Sequence, residues 1–285
     1  MNKHTNIIAE IGCCHLGSIA RAKLLCKLAI ESGADYVKSQ KRNVQASTPK
    51  ELWNQPHPNP QFAYGATYLE HRTALELHIQ DHREIADYCK SIGGKYCLSV
   101  WDVPSALETI NHLSDSDLIK VPSACNNNEL LIKTLLKSWP KQIHISTGMT
   151  SNNELNQLLK WIDSSDRRKD IVLYGCTSAY PCDFKDACLL EMKQLKNAHP
   201  QIGYSDHTKG IMVPVAAVAL GATWIEKHFV DDRTLRHTDA SNSLEPEGFK
   251  KMVRDIRHLE DALGYKPREG LLQCELGDRS KMKQK

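Results

Sequence analysis

Ala222–Phe229 reads ATWIEKHF, an apolar β-like run that turns ionic only at Glu226, Lys227 and His228. A strand of this composition carries a site at its carboxyl end. The same pattern recurs along the chain: NIIAEIG with Glu10, DYVKSQ with Lys38 and Gln40, KYCLSVWD with Ser99 and Asp102, and DLIKVPS with Lys120 and Ser123. It continues in QIHISTG with Ser146 and Thr147, in IVLYGCTSAYP with Thr177, Ser178 and Tyr180, and in QIGYSDH with Ser205, Asp206 and His207. Each of these eight runs is followed by a helical pattern, so the chain reads as an α/β protein, a (β/α)8 TIM barrel with its active site on the carboxyl-terminal face.

A chain of 285 residues suits one such barrel. Lys plus Arg number 37 against 34 Asp plus Glu, a net charge of +3 that makes no case for nucleic acid or a membrane surface. No apolar run approaches the roughly 18 residues of a membrane span, and the first strand starts by about residue 6, so a cytosolic protein is expected. Ten cysteines without CxxC spacing are expected as reduced thiols, with Cys26, Cys97 and Cys176 as small apolar fillers.

Between the strands, Ile19–Glu31 carries a helical apolar stripe, and Thr73–Ile92, Pro104–Leu113, Gly210–Leu220 and Pro246–Leu263 read as further helices. Thr150 or Ser151 caps the helix containing Glu154, and Ser243 is expected to cap the last one. Lys41 to Arg72 is a long polar excursion rich in Pro and Asn, the kind of loop that serves as a lid. Residues 1–266 form one barrel domain and 267–285 a polar tail. A carboxylate at a buried strand end, as at Glu10, is either ion-paired or functional. Lys120 within a strand is expected to point inward as an anion ligand, with the Ser123 and Ser146 hydroxyls near it.

In order and spacing, AEIG, VKSQ, YGATYLEHR, IKVPSA, STGM, CTSAYP, GYSDHTKGI, GATWIEKHF and SLEPE resemble the barrel domain of the N-acetylneuraminate (sialic acid) synthase family, over roughly residues 5–264. The resemblance implies condensation of phosphoenolpyruvate with an acyclic aminosugar aldehyde to give a nine-carbon 2-keto-3-deoxy acid and phosphate. Lys38, Lys120, Ser123, Ser146, Ser205 and Lys227 would serve the phosphate and carboxylate, Gln40, Thr177, Ser178 and Tyr180 the sugar, and Ser99, Asp206 and His207 would bind substrate as well. Glu10 would act as general acid/base or orient hydroxyls. His228 would bind a divalent metal, Mn²⁺ or Mg²⁺, as a Lewis acid. A homodimer is implied as well.

Departures from the family pattern shape the expectations. The family has a second metal-binding His in P-D-H-x-x-S-L-E-P, where this chain has Ala240; Asp239 is the expected substitute, with His237 as the other candidate. The family's appended antifreeze-like domain has no counterpart in this sequence, so either a separate polypeptide or the Lys41–Arg72 loop would cover the sugar, or the substrate is a different sugar. Two other readings stand beside the synthase: a condensation with a phosphorylated aldose, as in 3-deoxy-octulosonate 8-phosphate synthases, or a non-catalytic relative. The phosphorylated acceptor needs a second phosphate pocket, for which only Arg42, Arg72, Arg233 and Arg236 are in view.

Overall fold

The period of two along a strand sorts each run into an inner and an outer set of side chains. In NIIAEIG, Ile7, Ala9 and Ile11 face the helices, which leaves Ile8 and Glu10 for the barrel interior. The computed structural model describes residues 4–235, 237, 239, 242–265 and 269–284. It is a closed parallel barrel whose strands follow one another in chain order, β1 to β8. These are Asn6–Gly12, Tyr36–Lys41, Lys95–Val100, Leu118–Val121, Gln142–Ser146, Ile171–Cys176, Ile202–Asp206 and Trp224–His228.

The helices are α1 Ile19–Glu31, α2 Val44–Ser47, α3 Tyr68–Leu75, α4 Ile79–Ser91, α5 Val103–His112, α6 Glu129–Ser138, α7 Asn152–Asp163, α8 Glu191–Ala198, α9 Met212–Ala219, α10 Pro246–Ala262 and α11 Leu276–Met282. The main core lies between strands and helices. A second apolar cluster of Ile8, Tyr36, Cys97, Leu118, Val172, Tyr174 and Trp224 plugs the lower barrel. One inward position further along, the strands present Glu10, Lys38, Ser99, Lys120, Ser146, Cys176, Ser205 and Glu226, so an apolar floor carries a polar mouth at the carboxyl end.

Several boundaries differ from the sequence expectation. The Thr73–Ile92 pattern is two helices: Glu76 is extended, its carboxylate accepting from Lys41 Nζ at 2.9 Å and the Arg42 amide at 3.0 Å, and Asp81 restarts the helix by taking the His78 N–H at 2.9 Å. The excursion after β2 is not irregular throughout, since it holds α2 and α3 with a Thr67/Glu70 capping box. Ser151 caps α7, sharing its box with Glu154. Ser243 does not cap α10; its hydroxyl donates to the Asp239 carbonyl at 2.7 Å, and Glu245 holds the cap position before Pro246. All ten cysteines are free thiols. Among the described residues, no helix is long and apolar enough to cross a membrane. Arg236, Ala240 and the domain boundary at 266–267 lie outside the described residues.

Candidate active site

The polar mouth encloses a cavity of about 260 Å³. Its floor is a line of four alternating charges. Glu10 and Lys38, paired across β1 and β2, form an ion pair with both side chains buried. Lys38 Nζ also lies 3.7 Å from Glu226 Oε2, which accepts from Lys120 Nζ at 2.7 Å. Ser99 Oγ accepts from Lys38 at 2.6 Å, and Ser205 Oγ donates to Glu226 Oε1 at 3.1 Å. Lys120 Nζ stands 4.2 Å over the centroid of Tyr174, part of the apolar floor.

Burial opposes the charges of Glu226, Lys38 and Lys120, and the balance against their partners differs among the three. Desolvation alone would raise Glu226, but Lys120 and then Lys38 overcome it and hold its carboxyl far below the usual range. Burial works against Lys38 too, and Glu10 and Glu226 reverse it, leaving the ammonium above its ordinary value. For Lys120, burial, aided by the Lys38 charge, outweighs Glu226 and the shift is downward. The cluster therefore sets two lysines against two glutamates, one of which, Glu226, bridges both lysines.

Around this line the strand ends supply hydroxyls and rings. Gly148 permits the approach of two of them: a Cβ there would lie 2.8 Å from Ser123 Oγ and 2.3 Å from Ser178 Oγ, and its N–H donates to Ser123 Oγ at 3.1 Å. Gly12, at φ +47°, plays the same part on the opposite wall, where a Cβ would crowd Asp239 Oδ2, Glu10 Oε1 and Gln40 Nε2. Gln40 Nε2 donates to Glu10 Oε1 at 3.1 Å. The Tyr180 ring lies 4.2 Å from that of His207, which is 5.5 Å from that of His228. Burial, and then the neighbouring His228, pull His207 down to about 3, so it is neutral at physiological pH.

Of the site residues expected from sequence, Glu10, Lys38, Gln40, Ser99, Lys120, Ser123, Ser146, Tyr180, Ser205, His207, His228 and Asp239 line one cavity. Four do not. Ser178 stands just behind the lining, with Oγ 4.0 Å from Cys176 Sγ. Thr177 turns outward and donates to the Asp186 carbonyl at 2.7 Å. Asp206 and Lys227 face the helices as a fully buried ion pair at 2.6 Å, with the Lys227 ammonium also held by the Thr208 carbonyl. The expectation that they bind substrate is corrected by strand alternation, which puts both on the outer face. Cys176, expected as filler, lines the cavity with Cys13, Trp101, Arg42 and Arg72.

The residues at the metal position fit a cation. His228 Nδ1 is buried without a hydrogen-bond partner and lies 3.9 Å from Asp239 Oδ2, too far for a hydrogen bond and close enough for both atoms to reach one ion. Among the described residues no third His, Cys, Asp or Glu joins them, so remaining coordination would fall to water or substrate. His237 instead meets Cys14, with Nδ1 3.5 Å from Sγ.

Fold and site together define a (β/α)8 barrel enzyme with a charged, hydroxyl-rich mouth at the carboxyl ends of its strands. The chain belongs to the NeuB family, whose model matches residues 25–268. It is similar to an N,N'-diacetyllegionaminic acid synthase of Campylobacter jejuni, 35% identical over 92% of this chain and 78% of that protein. It is also similar to an N-acetylneuraminate-9-phosphate synthase of Mus musculus, 36% identical over 97% and 76% of the two chains. In structure it resembles an N-acetylneuraminic acid synthetase from Leptospira borgpetersenii, with a TM-score of 0.83 and 26% identity over 100% of this chain and 94% of that one.

Proposed function

We propose that this enzyme condenses phosphoenolpyruvate with an acyclic N-acyl-aminosugar aldehyde, giving a nonulosonic acid and inorganic phosphate. The observation that carries the reading is the buried Glu10–Lys38–Glu226–Lys120 line ringed by Ser99, Ser123, Ser146 and Ser205. Two ammonium groups and several hydroxyls in one water-poor cup suit a small substrate bearing both phosphate and carboxylate.

In the reaction, C3 of phosphoenolpyruvate attacks the aldehyde carbon and a C–C bond forms, while the aldehyde oxygen takes up a proton and becomes a hydroxyl. Water adds to the cationic C2 and loses a proton. The C2–O bond to phosphate then breaks as the C2 hydroxyl gives up its proton, which leaves with the phosphate, and the 2-keto acid remains. Glu10, oriented by Gln40 and held by Lys38, is the group placed to exchange these protons. Gln40 and Tyr180 are at hand for the sugar, and Lys38, Lys120 and the serines for the anion. A cation bound by His228 and Asp239 would supply Lewis-acid polarisation of the aldehyde oxygen. A second subunit or a separate polypeptide covering the mouth belongs to the same reading.

Two of the relatives carry names that differ in whether the product bears a phosphate. Incubation with phosphoenolpyruvate and N-acetylmannosamine or its 6-phosphate, with Mn²⁺, should release phosphate in step with a 2-keto acid heavier by the added three carbons. Glu10→Gln should lower kcat by about 10²- to 10⁴-fold with phosphoenolpyruvate still bound. Phosphate release without the condensed acid, or undiminished turnover in Glu10→Gln, would contradict the reading.

A further inference from the structure

The structure assigns a second anion subsite to Arg42 and Arg72 at the outer rim of the cavity, and we propose that it takes the phosphate monoester of an aminosugar phosphate acceptor. The inference rests on the condensation proposed above and names its acceptor class.

The buried cations of the barrel otherwise have carboxylate partners: Lys38 and Lys120 on Glu10 and Glu226, Lys41 on Glu76, Lys227 on Asp206. Arg42 and Arg72 are different. Among the described residues, neither guanidinium lies within 4.0 Å of a carboxylate. The Arg42 guanidinium lies against the Trp101 ring, 3.2 Å from its centroid, and donates through Nη2 to Gln40 Oε1 at 2.8 Å. Arg72 donates from Nε and Nη2 to the Tyr68 hydroxyl, at 3.1 and 2.7 Å. Two buried N–H donors, Arg42 Nε and Trp101 Nε1, have no partner among the described residues. Cys13, which lines the same wall, brings no charge, because burial pushes its thiol up to about 11 against the pull of both arginines. Glu76 and Asp239 act on the Arg42 and Arg72 guanidinium groups only from beyond 4.0 Å, so two like charges share a partly buried wall with unmet donors and, among the described residues, no carboxylate in contact.

Position argues that this anion is not the one on the floor. Arg42 follows Lys38 by four residues, about 13 Å of extended chain toward the mouth, and Arg72 belongs to α3 in the excursion above β2. With phosphoenolpyruvate on the lysines, the acceptor enters with its aldehyde inward and its far end at the rim. A planar guanidinium pair matches the oxygens of a phosphate monoester there. Gln40 links the two regions, accepting from Arg42 and donating to Glu10.

The test uses the full chain, Arg42→Met, Arg72→Met and two acceptors, N-acetylmannosamine and its 6-phosphate. The wild type should favour the phosphate ester in kcat/KM, and each variant should raise KM for that ester by about 10- to 150-fold, the size of a lost charge-assisted contact. KM for phosphoenolpyruvate should move far less. Calorimetric titration of each acceptor into enzyme saturated with phosphoenolpyruvate gives a readout independent of turnover. Binding of the phosphate ester that is lost in both variants supports the subsite, even if no condensed acid is found and the condensation reading fails. Equal use of the two acceptors, or a rise in KM confined to phosphoenolpyruvate, overturns the inference while leaving the condensation intact.

Discussion

Glu226 and Lys227 are neighbours on β8, and they belong to different machines. Glu226 points inward, bridges Lys38 and Lys120, and forms part of the cavity wall. Lys227 points outward and is sealed against Asp206 of β7, its register partner, with neither side chain exposed to solvent. Both arrangements are buried ion pairs at the same height of the barrel. The inner one opens on a cavity, which its two lysines and two glutamates line together. The outer one is closed on itself, with Asp206 also accepting from the Thr208 hydroxyl and amide. A buried pair that opens on a cavity can meet a substrate; one sealed by its own neighbours holds two elements together.

The largest expected effect breaks the outer pair. Lys227→Met leaves the Asp206 carboxylate buried without its cation, and a loss of about 3–5 kcal/mol in unfolding free energy is expected by denaturant titration. The Lys227→Met/Asp206→Asn double variant should recover much of it. Affinity for phosphoenolpyruvate in the folded fraction should stay within about threefold of wild type, less than the 1.4 kcal/mol of a tenfold change. A single variant that folds as well as wild type and binds phosphoenolpyruvate poorly would put Lys227 back in the site.

A smaller effect sharpens the comparison through pH. Glu226 is held so far below the usual carboxylate range that it stays charged on mild acidification. His207 in the cavity, pulled down to about 3, and His15 beside α1, pulled down to about 4, respond differently, burial being the first cause for both. Each is neutral in the folded chain, while its unfolded counterpart takes a proton near pH 6.5. Their contribution to stability is therefore full above about pH 6.5 and is lost as pH falls toward their folded values. The melting temperature should fall between pH 7.5 and 5, and His207→Gln should shallow that slope. A flat profile in the wild type, or the same slope in the variant, would count against a neutral, buried His207.

The barrel was legible because its strands announce themselves twice, by apolar runs of β length and by polar residues at their carboxyl ends. Most of the cavity followed from those ends. Asp206 and Lys227 sit at strand tips beside the cavity residues, yet the same alternation that separates Lys227 from Glu226 and His228 places both of them outside. Glu226 was visible as a strand-end charge, but its bridging of two lysines depends on β2, β4 and β8 meeting across the barrel, which no single motif records. Arg42 and Arg72 stand among the arginines in view for a second phosphate pocket, but their convergence depends on the 41–72 segment folding over β2, which a spacing of thirty residues does not show. Trp101 and its stacking on Arg42 were equally out of reach.

The claim that the inner cluster is the anion site is tested most directly by calorimetric titration of phosphoenolpyruvate into wild type and Lys120→Ala. Loss of one charge-assisted contact in that cup should weaken binding by about 10- to 150-fold, with the fold intact by circular dichroism. Undiminished affinity in a folded Lys120→Ala would contradict the account.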